Sequence, residues 1–223
     1  MKQLLALAFC VLGFVLYLSC NGKQNPDDTR NLKRIIDHSV LPSDSNVLYF
    51  PVNKHLSDTT NQLSKFSNTW YSKMLFALNE PVLFISQDST EIFRFTWLRT
   101  FHNPISIRVN KNREHCVLTL KILGGAGGYE PEDLIKDTSY FITMNEWKTL
   151  ASKISEINFW KLKSFVDDDG KDGSEWILEG KNNYEYHFVN RWSPNATRYK
   201  EFKDCCDYLI YLSNIKLTDK EIY

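Results

Sequence analysis

Apolar and polar residues alternate along two aromatic-rich stretches within residues 172–194. Residues 180–183 join the stretches, and the glycine and asparagines among them favour the left-handed backbone of a hairpin turn. Side chains of a strand point alternately to the two faces of its sheet. In the second stretch the even positions include Tyr186, Phe188 and Trp192, and the odd positions hold His187, Val189 and Arg191. The pattern predicts a β-hairpin with one core face and one face that carries any chemistry.

The same alternation predicts a meander of antiparallel strands before the hairpin. These strands are predicted at residues 82–85, 91–100, 105–110 and 116–123, with a further strand or an extended lead-in at 47–52. Within residues 91–100, one face holds Phe93, Phe95 and Trp97, and the other holds Arg94, Thr96 and Leu98.

Three longer stretches carry apolar residues at the spacing of an amphipathic helix. The first is predicted to begin at Ser57 or Asp58 and to end near Leu78. The second begins at the capping box of Thr143 and Glu146 and ends near residue 154 or 157, and the third covers 198–212. Their predicted buried sides are Leu63, Phe66, Trp70, Met74 and Leu78; Trp147, Leu150 and Ile154; and Phe202, Cys205, Cys206, Leu209 and Leu212.

Together these elements predict an α+β fold, an antiparallel sheet of about six or seven strands packed on one side by three helices. The single domain is expected at residues 46–223, after a tether and a short helix (27–38) within residues 20–45. Aromatic residues make up 14% of the chain, which favours a packed globular core over disorder.

Residues 1–19 have the form of a signal peptide. Their apolar run at 4–18 is shorter than the roughly 20 residues that a membrane-spanning helix needs. Ser19 and Cys20 resemble the bacterial lipoprotein signal, in which cleavage before the cysteine leaves a lipid-modified amino terminus. Tyr17 stands where that signal usually has an aliphatic residue, so secretion without lipid is the alternative.

Acyl chains such as palmitate on Cys20 would hold the protein on a membrane without a spanning helix, since each buried methylene contributes about 0.8 kcal/mol. The expected location is therefore the bacterial cell envelope, lipid-anchored and either periplasmic or surface-exposed. Residues 21–28 read as a flexible tether.

The balance of charge argues against nucleic-acid binding. Lys plus Arg and Asp plus Glu each number 27, which leaves no excess positive charge to neutralise phosphates. No basic stripe interleaved with aromatic residues is present, and we expect no nucleic-acid partner.

Two loop sequences suggest ligand sites but do not meet the known templates, and we expect no metal and no cofactor. In the acidic stretch 167–173, Lys171 occupies the fifth position, where an EF-hand needs an oxygen ligand. The glycine-rich stretch 124–128 matches neither a P-loop nor a dinucleotide fingerprint. Its glycines are expected to permit a tight bend or the close approach of another segment, with anion binding as the alternative.

Three cysteines remain after those of the signal region. In an oxidising compartment Cys116 could pair with Cys205 or Cys206. The alternative is three small buried thiols.

Candidate site residues lie on or beside the predicted strands. His102 or His187 could act as general base, and Glu179 is a third catalytic candidate, although no G-x-S-x-G or H-E-x-x-H motif is present. The binding candidates are Arg94, Trp97, Arg99, Arg191 and Trp192. Arginine grips carboxylates and phosphates, and Trp and Arg dominate binding hot spots. Alternatively, the arginines pair with acids such as Glu179 and cover the sheet.

Three segments resemble shared blocks of a family of uncharacterised, Bacteroidetes-like bacterial envelope lipoproteins. They are FRFTWLRTFHNP at 93–104, GGAGGY at 124–129, and WILEG at 176–180 with RWSP at 191–194. The resemblance covers roughly residues 70–213. It implies an envelope setting and a single domain, and it supplies no activity, ligand or catalytic residue.

The expected function is that of a membrane-tethered envelope protein that binds a partner protein or small ligand without catalysis. An exposed patch around Trp97, Arg99, Arg191 and Trp192 is the expected binding surface. The alternative is an envelope hydrolase that uses a histidine base.

Overall fold

A computed structural model of the protein describes residues 41–52, 63–87, 89–166, 170 and 172–223. The predicted signal peptide, the lipidation site Cys20, the tether and the predicted helix at 27–38 lie outside these residues, as does the predicted helix start at Ser57 or Asp58. None of the helices within the described ranges combines the length and the hydropathy that a membrane span requires.

Six strands and three helices make up the described part of the chain, which confirms the predicted α+β fold. The helices are α1 Lys65–Ala77, α2 Met144–Glu156 and α3 Lys200–Leu212. The strands are β1 Glu91–Arg99, β2 Ile105–Lys111, β3 Cys116–Leu123, β4 Leu134–Ile142, β5 Ser174–Lys181 and β6 Tyr186–Trp192. They form one sheet in the order β4-β3-β2-β1-β5-β6, and every neighbouring pair is antiparallel.

Both faces of the central strands are buried, so the expectation that all three helices pack on one side is wrong. One face carries the aromatic residues of β1 and packs against α2 and α3, with Phe95, Trp97, Trp147 and Leu209 in one cluster. The other face packs against α1, with Leu98, Ile177, Tyr71 and Met74 in a second cluster. The central strands β1 and β5 are apolar on both faces at these positions, and each face therefore needs a cover.

β4 is absent from the sequence prediction because its side chains do not alternate between buried and exposed. Most of them are partly or fully exposed, including Ile135, and only Ile142 at its end is buried. Two other predicted strands take different forms. Residues 47–52 are an extended lead-in whose Tyr49 and Phe50 are buried, and residues 82–85 contain a 3-10 turn, Leu83–Ile85.

The predicted hairpin forms from β5 and β6, but its turn lies two residues later than expected. Gly180 is part of β5, where a Cβ would meet ring atoms of Phe159 at 2.6 Å and of Phe93 at 2.8 Å. The turn is held instead by the Asn182 side-chain oxygen, which accepts hydrogen bonds from the backbone N–H groups of Tyr184 (2.8 Å) and Glu185 (3.0 Å).

The buried side of α1 differs from the prediction, whereas those of α2 and α3 match it. Leu63, Met74 and Leu78 are buried as expected, but Phe66 is 75% exposed and Trp70 is half-buried. The buried stripe runs instead through Tyr71, Met74, Leu75 and Leu78. Phe66, near the start of α1, therefore lies in solvent, whereas Trp70 packs against the edge of the second cluster.

Candidate functional site

A network of buried charges occupies the sheet face beneath α1. Arg94 and Glu179 lie directly opposite each other on β1 and β5, and neither side chain is exposed. The guanidinium donates two hydrogen bonds of 2.7 Å to the carboxylate, one from Nε and one from Nη2. Burial raises the pKa of Glu179, and the charge of Arg94 and the hydroxyl of Tyr186 (3.0 Å) limit the rise. The predicted catalytic candidate Glu179 is therefore enclosed in a structural ion pair.

Glu80 brings a second carboxylate into this network from the segment after α1. It accepts a hydrogen bond of 2.8 Å from Arg108 Nε, and Lys121 Nζ lies 3.4 Å from its Oε1. Burial alone would raise the pKa of Glu80, but the positive charges of Arg108, Lys121 and Arg94 outweigh burial and hold that pKa below its usual value. Arg94 and Arg108 thus pair with buried acids on this face of the sheet.

The other predicted binding residues do not form an exposed patch. Trp97 is fully buried between the sheet and the helices, and Arg99 is 1% exposed. Arg99 donates to the backbone oxygens of Asn103 (2.8 Å) and Glu221 (3.2 Å). The reason is that a sheet covered on both faces buries its arginines as well as its aromatic residues.

Arg191 and Trp192 are likewise committed to local packing, and they point to opposite faces of β6. Arg191 donates to the backbone oxygens of Lys163 (3.0 Å) and Asn190 (2.6 Å), and its guanidinium lies over the rings of Tyr199 and Phe202. Trp192 is half-buried.

The two candidate histidines are held by groups that do not form a catalytic triad. The Tyr223 hydroxyl accepts a hydrogen bond from Phe101 N (3.1 Å) and also lies within hydrogen-bond distance of His102 Nδ1 (2.9 Å). His187 Nε2 lies 2.9 Å from the carbonyl of Leu162, which can only accept, and burial lowers the pKa of His187. Within the described residues neither imidazole joins a hydroxyl nucleophile to an orienting carboxylate.

The glycine-rich loop is shaped by the close approach of another segment. Gly127 N donates to the carbonyls of Arg99 (2.8 Å) and His102 (3.0 Å) in the β1–β2 turn. A Cβ at Gly127 would lie 2.7 Å from Arg99 N, so only glycine fits. These contacts fix the loop of residues 124–128 and, with it, the two residues that follow the loop, Tyr129 and Glu130.

An exposed aromatic hollow lies between this loop and α1. It has a volume of about 500 Å³ and is lined by Phe66, Thr69, Trp70, Lys73, Gly128, Tyr129 and Glu130. Phe66 and Tyr129 are 75% and 64% exposed, and the rings of Phe66 and Trp70 lie 6.1 Å apart. Lys73 forms an ion pair with Glu130 at the edge of the hollow. This cluster of exposed aromatic side chains makes the hollow a candidate interaction site.

A second hollow of about 620 Å³ adjoins the first along α1. The two share Thr69 and Lys73, which form a ridge between them. The second hollow is also lined by residues 45–48, Lys65 and Pro131, and we call it the lysine hollow. The two hollows together are called the α1 groove.

A polar cleft of about 690 Å³ lies where β1 begins and β2 ends, and Glu91 and Lys111 are among its lining residues. It is flanked by two similar turns, in which Asn112 and Asn182 each accept two backbone hydrogen bonds from residues two and three positions later. Those side chains are thus occupied in holding the turns.

Sequence patterns indicated neither hollow. Phe66 and Trp70 follow the helical spacing of core residues, and Tyr129 follows a glycine run whose contacts are made far away in sequence. Among the described residues, no group of three or more His, Cys, Asp or Glu side chains could hold a metal ion.

Comparison of the chain with protein-family models, with curated proteins and with solved structures finds no match. The resemblance to bacterial envelope lipoproteins therefore stays a prediction from the sequence.

Proposed function

We propose that this protein is a non-catalytic binding protein of the bacterial envelope and that the α1 groove is its binding surface. The observation that carries the proposal is the exposure of Phe66 and Tyr129 in a hollow that Trp70 also lines. Aromatic side chains dominate binding energetics, and leaving them in water costs stability that a ligand would recover. The helix α1 and the loop that Gly127 fixes hold the three aromatic residues in place before a ligand binds.

The proposal includes attachment to a membrane through lipid on Cys20. Support comes from the apolar run at 4–18, which ends at Ser19 and Cys20 and is followed by a polar stretch. A tethered domain would present the groove close to the membrane surface. Intact mass and membrane fractionation of the protein and of a Cys20→Ala variant test this part, and a soluble, unmodified wild type would contradict it.

Binding at the groove is tested by a small-molecule fragment screen read out on backbone amide chemical shifts. We expect some fragments to shift the amides around Trp70 and Tyr129 in the wild type. Phe66→Ala and Tyr129→Ala should weaken these fragments by about tenfold, since truncated binding aromatics cost roughly 1–2 kcal/mol. The matched control is Tyr184→Ala, because Tyr184 is 94% exposed and lies at the far hairpin turn.

The same variants must remain folded for the test to be meaningful. Because Phe66 is exposed, its truncation should change the free energy of unfolding by no more than about 0.5 kcal/mol. If no fragment shifts the groove, or if Phe66→Ala and Tyr184→Ala have equal effects, the groove is not the binding surface.

A further inference from the structure

Two lysines define the chemical character of the groove. Lys73 lies on the ridge between the hollows, and Lys65 lines the lysine hollow about two turns nearer the start of α1. Of the described residues that line the lysine hollow, none is acidic. The aromatic hollow contains one acid, Glu130, which pairs with Lys73.

The Lys73–Glu130 ion pair is easily replaced. The two side chains are 49% and 80% exposed, and exposed ion pairs contribute little to stability. A carboxylate from a ligand can therefore take the place of Glu130 on Lys73 at small cost. Such a carboxylate would lie at the ridge, beside the aromatic hollow and within the reach of the lysine hollow.

The division of the groove bears on the size of its ligand. Each hollow alone has the volume of a small-molecule site, and the ridge of Thr69 and Lys73 separates them. A ligand that fills both must cross the ridge, which an extended chain can do. Polar side chains along the way, including Ser45 and Thr69, suit the hydrogen-bonding groups of a peptide.

We propose that the α1 groove binds an acidic peptide segment of a partner protein, with an aromatic side chain in the aromatic hollow and carboxylates on Lys73 and Lys65. This inference rests on the proposed function and names its partner class. The aromatic side chain packs among Phe66, Trp70 and Tyr129, where offset and edge-to-face ring contacts add to the burial of area. The acidic residues supply charge complementarity, which governs specificity.

Three pentapeptides test the proposal by titration into the isotope-labelled protein. They are Glu-Asp-Phe-Glu-Asp, its counterpart with Ala in place of Phe, and its basic counterpart Lys-Arg-Phe-Lys-Arg, all with blocked ends. We expect the acidic Phe peptide to shift amides of the groove with a Kd in the millimolar range or below. The Ala peptide should bind about fivefold more weakly, and the basic peptide should cause no saturable shift.

Two variants of the ion pair give opposite expected results. Lys73→Gln should weaken the acidic Phe peptide by about fivefold, whereas Glu130→Gln should strengthen it by about twofold or more because it removes the competing carboxylate. The matched control is Lys200→Gln, because Lys200 belongs to an exposed ion pair with Asp204 on α3. That variant should leave binding unchanged.

The inference is overturned if the basic peptide binds as tightly as the acidic one, if Glu130→Gln weakens binding, or if no peptide shifts the groove. Failure of the inference can be told from failure of the proposed function. Fragments that bind the groove while acidic peptides do not would leave the proposed function standing and overturn the partner class. If fragments and peptides all leave the groove unshifted, both proposals fail.

Discussion

Arg94 and Glu179 face each other across β1 and β5 with two hydrogen bonds of 2.7 Å, and neither side chain is accessible to solvent. A buried ion pair repays the cost of desolvation only when its geometry is good and its remaining groups find partners. Arg94 meets that condition through a third hydrogen bond, of 2.6 Å, to the carbonyl of Pro81. The pair joins two central strands to the segment that follows α1.

Breaking this pair should destabilise the protein strongly. Arg94→Met is expected to lower the free energy of unfolding by about 3–5 kcal/mol, because Glu179 keeps a buried charge without its partner. The double variant Arg94→Met with Glu179→Met should lose less than the sum of the two single losses, since both charges leave together. Urea denaturation measures these values, and a loss below about 1 kcal/mol for Arg94→Met would contradict the prediction.

His187 should make the stability depend on pH below neutrality. Burial lowers the pKa of this imidazole in the folded protein, so the unfolded chain binds its proton more readily. The stability that neutral His187 contributes is complete above its ordinary pKa of about 6.5 and is lost as the pH falls through the lower, folded value.

His187→Gln should remove this part of the pH dependence. The amide of glutamine can still donate to the Leu162 carbonyl but does not titrate. Thermal or urea unfolding of both proteins between pH 8 and pH 5 would show it. Parallel stability curves for wild type and variant would rule the explanation out.

The glycine loop offers a matched pair of substitutions. Gly127→Ala should cost about 1–3 kcal/mol, because the new Cβ would lie 2.7 Å from the backbone nitrogen and 2.8 Å from the backbone oxygen of Arg99. Gly124→Ala should cost less, because its nearest neighbour at 2.9 Å is the flexible carboxylate end of Glu132. Equal losses for the two variants would mean that the β1–β2 turn gives way.

The three cysteines of the domain should be unreactive thiols. Cys116, Cys205 and Cys206 are all free and buried, and burial raises the pKa of Cys205 to about 12. Thiolates are the reactive form, so alkylation at pH 8 should be slow in the native protein and fast in urea. Mass spectrometry of the two peptides that contain these cysteines measures this, since Cys205 and Cys206 are adjacent. A peptide in which Cys116 is linked to Cys205 or Cys206 would restore the disulfide alternative.

The sequence predicted an element best where one face of that element is apolar and the flanking sequence is consistent with the same element. All five predicted residues of α3 are buried, and β3 has the predicted bounds. It failed at β4, an edge strand whose exposed side chains leave no alternation. Phe66 was misplaced because the buried stripe of α1 is set by the sheet beneath it, and helical spacing alone does not define which stripe that is.

The sequence did not predict the α1 groove, because it led us to expect the exposed binding residues on the strands. Arg99 was expected on an exposed patch and Arg94 was a binding candidate, since polar residues in a strand usually mark an exposed face. Both faces are covered here, and their charges are paired inside the protein. The residues left exposed lie on a helix and a loop that come together only through contacts between distant segments.

Glu80 ties the end of α1 to β2 through Arg108, a partner 28 positions away in sequence. If α1 separated from the sheet, the Glu80 carboxylate would lose its hydrogen bond to Arg108, and the apolar cluster around Met74 would be exposed to solvent. Amide hydrogens of α1 should therefore exchange with solvent at the slow rate of the central strands, in a single global opening. On this prediction the helix that forms one wall of the groove belongs to the same cooperative unit as the sheet, and a ligand would enter the groove from its open side.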